Sequence, residues 1–333
     1  MFGTIILMQT KIPVLTATEA IQRAQNHQYP HKNSYLVFYS SWYGGFVVEP
    51  ALMSVPVDDH MVHRGDGVFE AIRVAKGKAY LWREHLQRLR ESAQAIHMQV
   101  PLSDSEFDEI MKQAYGIATE AKPSLAEREL MIRLYVSRGP GGFTVSPKDS
   151  CGSQVYMALT EFTPYANSSF ANGVNVGISK LSVKPGFQAR VKSCNYLPNV
   201  LMKDEANRQG WDFAIAFDEQ GHLAESATEN IAIITNEKSL VHPFWDRILK
   251  GTTLVRLSQL INQEKILKDA RPGHLTVEDL KNAKEVMMIG TTLSVLPVRH
   301  IEGVGSYDVN KESVAHKLRS LIEQDFANGF PLR

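Results

Sequence analysis

The chain has 333 residues, 44% of them hydrophobic and 22% charged, enough to bury a substantial core and to divide into two domains. Its 36 basic and 36 acidic residues cancel, so no bulk charge is present to hold a nucleic acid or a membrane surface. Cys151 and Cys194 make neither a C-x-x-C pair nor a disulfide framework, which fits a reducing cytosol and predicts a cytoplasmic protein. The apolar run Phe2 to Met8 is too short for a signal-peptide core or a membrane span, and no basic stretch precedes it. No internal repeat or low-complexity tract is visible.

In chain order, Thr16 with Glu19 three residues on has the capping-box pattern and predicts a short helix through Ile21 and Ala24. Tyr35 to Tyr39 reads as a strand and Gly44-Gly45 as a turn. Asp58 to Val74 holds H-R-G-D-G-V-F, whose glycines allow close backbone approach before a strand from Val68 to Val74. Trp82 to Ile96 predicts an amphipathic helix with Trp82, Leu86, Leu89, Ala93 and Ile96 on one stripe and Arg83, Arg88, Arg90 and Glu91 largely off it. A second helix runs from Asp104 to Thr119, capped by Ser103 or Asp104, and strands follow at Leu130 to Ser137 and Gln154 to Leu159. Between those strands Ser137 to Gly142 is glycine-rich, but Pro140 interrupts it and no helix signal follows, so it reads as a mobile loop near a pocket mouth. The polar stretch Glu161 to Gly173 is the candidate linker.

The second half opens with a strand over Val174 to Val183 and an amphipathic helix from Asn199 (Val200, Met202 or Lys203, Ala206) stopped by Gly210. Between them lies Lys192. An ordinary lysine is a solvated cation, but one on a strand-to-helix turn can point into a cleft, where a half-buried amine loses its preference for charge and can form a Schiff base. Glu225 follows thirty-three residues later, past the alternating run Phe213 to Phe217 and the turn Asp218 to Gly221, in the polar interruption E-S-A-T-E-N. A carboxylate there can hold a pyridine nitrogen protonated and so make the ring an electron sink, whereas Glu229 reads as a solvated loop carboxylate. Gly251-Thr252-Thr253 opens a helix carrying Leu254, Leu257, Leu260 and Ile261, and Gly290-Thr291-Thr292 follows a strand over Glu285 to Ile289. Such turns offer backbone N–H groups and hydroxyls to a phosphate, although simple N-capping uses the same residues.

K-S-x-N-Y-L with a glutamate in E-S-A-T-E-N resembles the fold-type IV (class IV) pyridoxal 5'-phosphate-dependent aminotransferases, and the likeness runs from about Tyr39 to about Val298. The segments Y-S-S-W-Y-G-G, D-D-H-M-V-H-R-G-D-G-V-F and V-K-S-C-N-Y-L-P-N-V-L are most similar to the plant-type branch that joins D-amino-acid transaminases and aminodeoxychorismate lyases. The resemblance implies an α+β fold, with a smaller N-terminal α/β domain over residues 1–160, a linker over 161–173 and a larger pseudo-barrel domain over 174–333. It implies Lys192 as the catalytic lysine, Tyr196 on the cofactor O3′, Glu225 on the ring nitrogen, and Arg88, Thr252, Thr253 and Thr291 on the phosphate. Phe69, Arg64, Arg133, Arg138 and Thr292 are the candidate substrate contacts. The leading expectation is transamination between a branched-chain or D-amino acid and a 2-oxo acid. The alternatives are aminodeoxychorismate lyase chemistry, releasing pyruvate and 4-aminobenzoate, and a cofactor-holding protein without catalysis. A homodimer whose pocket is completed by the partner is implied, and no metal is.

Overall fold

Apolar runs of period two pair into two sheets, and helices with one apolar stripe cover them. The computed structural model describes residues 12–182, 184 and 186–333, so the Phe2 to Met8 run and Val183 lie outside the described residues. The first strands are β1 (Tyr35–Ser40), β2 (Gly45–Val47), β3 (Gly67–Ala75), β4 (Lys78–Ala79), β5 (Leu130–Ser137) and β6 (Gln154–Glu161). The second group is β7 (Val174–Ile178), β8 (Phe213–Phe217), β9 (Leu223–Ser226), β10 (Asn230–Ile234) and β11 (Ser239–His242). It continues with β12 (Asp269–Pro272), β13 (Glu285–Gly290), β14 (Ser294–Ile301) and β15 (Gly305–Ser306), and the chain closes with β16 (Phe330–Pro331). The helices are α1 (Ala17–Asn26), α2 (His60–Arg64), α3 (Trp82–Ala95), α4 (Asp104–Ala121), α5 (Asn167–Asn172), α6 (Leu197–Gln209), α7 (Thr252–Glu264), α8 (Val277–Asn282) and α9 (Val314–Asp325).

The first sheet has the order β16-β4-β3-β5-β6-β1-β2. Its central pair is antiparallel, with Gly67 opposite Ser137 and Val74 opposite Leu130. Helices α3 and α4 press Trp82, Leu86, Leu89, Phe107, Met111 and Tyr115 onto Ile72, Leu130 and Ile132 of this sheet. The second sheet is mixed, in the order β12-β11-β10-β13-β14-β7-β8-β9 with β15 beside β14. The Ser226 N–H donates to the Glu229 carbonyl, so β9 folds back beside β10 and the sheet curls. One face carries Val176, Ile215, Ile231 and Met288, and the other packs Ala232, Met287 and Ile289 under Leu254, Leu257 and Ile261 of α7 and Leu318 and Ile322 of α9.

The two halves are stitched by backbone. Ser193 bridges to Val68, the Phe69 N–H donates to the Lys192 carbonyl at 3.0 Å, and the Cys194 N–H donates to the Gly67 carbonyl at 2.7 Å. The seam lies along β3, at the strand that the glycines of H-R-G-D-G free for close approach. A methyl group on Gly67 would stand 3.1 Å from the Val136 carbonyl and 3.2 Å from Cys194 Sγ.

At several positions the structure adds to the sequence reading or departs from it. The capping box at Thr16 and Glu19 forms, but α1 buries none of its residues and Ile21 is exposed. Strand β7 stops at Ile178, because Ser179 turns aside to donate its hydroxyl to Glu205 of α6 at 2.6 Å. In α6 the buried positions are Met202 and Ala206, while Val200 and Lys203 face outward; Gly210 ends the helix in the left-handed conformation at φ 76°. The polar stretch 161–173 contains α5, which buries Phe170. The glycine-rich loop after β5 is pinned rather than free: Cys151 donates its N–H to the Pro140 carbonyl at 2.8 Å, and a Cβ on Gly139 would collide with the Gly152 carbonyl at 2.1 Å. We propose that the two sheets correspond to the two domains read from the sequence, with β16 crossing back to complete the edge of the first.

Candidate active site

A cavity of about 290 Å³ lies between the sheets, near the lower end of the roughly 300–1,000 Å³ usual for small-molecule sites. Phe69 and Ala71 of β3, Arg88 of α3 and Arg133 of β5 line one side. Lys192, Tyr196, Glu225, Asn230, Leu249, the Gly251 turn and the Gly290 turn line the other.

Lys192 reaches the cavity because its backbone is held on both flanks: its carbonyl accepts from Phe69, and its own N–H donates to Ser92 Oγ at 3.2 Å. The amine sits 4.6 Å above the Phe69 ring and 3.5 Å from the Tyr196 hydroxyl. Burial removes the water that would stabilise its charge and Arg88 repels it, so the pKa falls to about 8. A useful fraction of the amine is therefore neutral near physiological pH. Burial pushes the Tyr196 phenol upward, and the nearby Glu225 and Glu229 add to the rise, which keeps it a proton donor.

Glu225 enters from the end of β9. Its carboxylate accepts from the Leu249 backbone N–H at 3.1 Å and more distantly from Asn230 Nδ2 at 3.4 Å. Burial raises its pKa to about 8 despite the Leu249 N–H and the positive charge of Lys192. A carboxyl this dry wants a cation, and a protonated ring nitrogen would be one. Glu229, read from the sequence as solvated, is 5% exposed; its carboxylate accepts from the Thr228 hydroxyl, and burial raises its pKa. The polar run E-S-A-T-E-N is folded into the interior, where Glu229 is met by Thr228 while Glu225 and Asn230 both reach the Leu249 backbone.

The far end of the cavity gathers hydrogen-bond donors. Helix α7 starts at Thr252 behind Gly251, and Thr252 and Thr253 both line the cavity at its N-terminus, where the first N–H groups have no acceptor within the helix. A Cβ on Gly251 would fall 1.9 Å from Asn230 Oδ1, so only glycine fits that turn as built. Thr291 and Thr292 come in from the turn after β13. Arg88 is buried rather than turned to solvent, held side-on by Glu70, with Nε to Oε1 at 2.7 Å and Nη2 to Oε2 at 2.6 Å. Its Nη1 donates to the Lys250 carbonyl at 2.9 Å. Three of the five guanidinium hydrogens are thus committed, leaving two for a ligand in the cavity.

Residues 67–301, more than half of the chain, match the family described as amino-transferase class IV. The chain belongs to the class IV aminotransferases. It is 33% identical over 324 residues to the chloroplastic D-amino-acid transaminase of Arabidopsis thaliana, covering 96% of this chain and 84% of that one. It is 30% identical over 280 residues to a putative branched-chain-amino-acid aminotransferase of Methanocaldococcus jannaschii, covering 84% and 93%. The crystal structure of Escherichia coli branched-chain amino acid aminotransferase superposes with a TM-score of 0.77 at 26% identity, covering 88% of this chain and 95% of that one. The fold-type IV architecture and the transaminase activity expected from the sequence both stand, and the lyase alternative is not favoured.

The candidate residues of this class IV aminotransferase fall into two groups. Phe69, Arg88, Arg133, Lys192, Tyr196, Glu225, Thr252, Thr253, Thr291 and Thr292 meet at the one cavity. Arg64 and Arg138 are not brought to it. Arg64 donates to the His63 and Phe143 carbonyls at 2.9 and 2.7 Å, and Arg138 is clamped side-on to Asp66 and also donates to the Ile96 and His97 carbonyls. Asn230, Glu70, His85 and Ser92 were missed. The E-N pair before β10 was a usable signal for Asn230, but nothing in a lone sequence distinguishes Glu70 or His85 from surface residues. Cys194, beside the lysine, is a packing residue, with burial pushing its thiol up to about 12.

Proposed function

We propose that this aminotransferase holds pyridoxal 5'-phosphate in the cavity between its sheets and moves an amino group between an amino acid, branched-chain or D-, and a 2-oxo acid. The observation that carries the reading is the pairing, inside one small cavity, of a depressed lysine with a buried carboxyl in need of a cation. The anion end fits as well: two uncommitted Arg88 hydrogens and the free N–H groups at the start of α7 make a cradle for a phosphate.

The cofactor supplies an aldehyde carbon and a ring that spreads negative charge from the substrate Cα. Lys192 is the residue that the aldehyde would meet, and its amine would be the base that holds and moves the proton of the substrate Cα. Tyr196 would donate its hydroxyl hydrogen toward the ring oxygen beside the aldehyde, and Glu225 would keep the ring nitrogen protonated. Arg88, Thr252, Thr253 and Thr291 would hold the phosphate. Arg133 and Thr292 line the same cavity, so a substrate carboxylate could be met by the Arg133 guanidinium and the backbone at Thr292.

A homodimer is part of the proposal. Val62, Phe143 and Val145 stand exposed near Arg64, an apolar surface suited to a second copy, and sedimentation at micromolar concentration checks it. Among the described residues no helix is long and apolar enough to cross a membrane. A cytoplasmic location is proposed on the cysteine pattern, and cell fractionation checks it. For the reaction, the protein reconstituted with pyridoxal phosphate should show a lysine-dependent visible absorbance that bleaches with D-alanine, L-leucine or L-glutamate. Spectra unmoved by every amino acid would overturn the transaminase assignment, and 4-aminobenzoate formed from aminodeoxychorismate would restore the lyase.

A further inference from the structure

Behind the anion end of the cavity a buried chain of hydrogen bonds runs from Glu70 through His85 to Thr252, and the mechanism above uses only its last member. Glu70 Oε2 lies 2.7 Å from His85 Nδ1, and His85 Nε2 lies 3.2 Å from the Thr252 hydroxyl. Glu70 is fully buried and His85 is 1% exposed, so neither side chain faces bulk solvent.

The directions of these bonds are fixed by chemistry. Burial alone would raise the Glu70 carboxyl, but Arg88 and His85 override it and hold it at about 2, so it is a carboxylate and can only accept. His85 Nδ1 must therefore carry a hydrogen. In a neutral ring Nε2 then has only a lone pair, and the Thr252 hydroxyl must spend its single hydrogen on it. Thr252 would meet a cavity anion with oxygen lone pairs alone, an arrangement that repels. If Nε2 gains a proton, the bond reverses: Nε2–H donates to Thr252 Oγ1, and the threonine hydrogen swings out to the anion.

We infer that His85 is a positioning residue that takes up a proton when a dianion enters the cavity, so that Thr252 accepts from the ring and presents its hydrogen, not its lone pairs, to the anion. The proton comes from solvent to Nε2, and no covalent bond to a heavy atom changes. The charges that face His85 agree with this sense. Arg88 on its own helix and Lys192 on the seam disfavour the imidazolium, Glu70 on β3 favours it, and burial disfavours it most, so the ring is neutral when the cavity holds no anion. A dianion beside Arg88 and Lys192 supplies the negative charge that shifts the balance. The inference rests on the anion end of the cavity proposed above, and not on any bond to Lys192.

The probe is inorganic sulfate, which remains a dianion through the neutral range and so cannot itself be the group that titrates. Titration calorimetry of the cofactor-free full chain near pH 7.5, repeated in buffers of different ionisation enthalpy, should show uptake of about one proton per sulfate bound. Affinity should fall by up to about tenfold per pH unit as pH rises above the neutral-ring pKa. Uptake should vanish in H85Q and in T252V, the second of which keeps the histidine and its carboxylate. Ring-nitrogen spectra of histidine-labelled wild type should show Nε2 of one buried ring becoming protonated on sulfate addition. Sulfate binding with heats independent of the buffer, uptake that survives in both variants, or unchanged ring spectra would overturn the inference. Failure of the cofactor assignment would appear separately, as absent visible absorbance with pyridoxal phosphate.

Discussion

Glu70→Leu isolates the cost of leaving charge stranded inside the protein. The wild-type carboxylate is fully buried and receives two bonds from Arg88, at 2.7 and 2.6 Å, and one from His85 at 2.7 Å. Leucine fills the volume but leaves the Arg88 guanidinium, itself 9% exposed, without a counter-charge. Breaking a buried pair in this way costs about 3–5 kcal/mol, whereas replacing both partners by apolar residues is close to neutral. At roughly 2.1 cal/mol/K per residue, 333 residues give an unfolding entropy of about 0.7 kcal/mol/K, so the melting temperature should drop by about 4–7 °C. Glu70→Leu combined with Arg88→Met should be more stable than Glu70→Leu alone, although it would bind phosphate poorly. Urea unfolding of the cofactor-free protein, single against double variant, is the assay. The pH dependence gives a second reading. The folded-state carboxyl is held down at about 2, below its ordinary value near 4.5, so its stabilising share is present above the ordinary value and is lost as pH falls toward 2. A single variant within about 1 kcal/mol of wild type, or a double variant less stable than the single, would refute the reasoning.

Lys192→Met should abolish transamination and yet stabilise the cofactor-free protein at pH 7 by about 1–3 kcal/mol, because a buried amine with its pKa lowered to about 8 opposes folding while charged. That advantage should shrink as pH rises from about 8 toward the unfolded value near 10.5, and unfolding curves at pH 7 and pH 10 measure it. Glu225→Gln should retain the fold and lower kcat/KM by about 100-fold or more, read from steady-state kinetics, since the amide cannot balance a cationic ring. Gly251→Ala should weaken pyridoxal phosphate affinity by about tenfold or more in a fluorescence titration, because the new methyl group would stand 1.9 Å from Asn230 Oδ1 and the turn must move.

What the sequence made legible was whatever is encoded locally. The capping box at Thr16 forms as written, Ser103 rather than Asp104 proves to be the cap of α4, Gly210 ends α6, and β5 and β13 lie within one residue of their expected bounds. Of the ten residues that meet at the cavity, Lys192, Glu225 and the threonines of the two G-T-T turns sit beside a local signal, whereas Phe69, Arg88 and Arg133 lie inside regular elements and were named from the family resemblance alone. The burial of charge was not legible. Glu70, His85, Arg88 and Glu229 carry residue types that are solvated by default, and only a partner distant along the chain reveals otherwise. Arg64 and Arg138 lie away from the cavity for the complementary reason: backbone carbonyls and Asp66 claim their hydrogens, and a sequence does not announce which acceptors will be nearby.

The seam along β3 bears on how the reaction can be tuned from a distance. Lys192 travels with the first sheet, to which its carbonyl is tied through Phe69, whereas Glu225 travels with the second. The span between amine and acid is thus a property of how two layers are seated, not of any loop. Substitutions at the inter-layer contact between Arg73 and Ser294, 3.1 Å apart, should change turnover before they change the melting point, because a few tenths of an ångström of slippage misaligns the chemistry while leaving each layer intact.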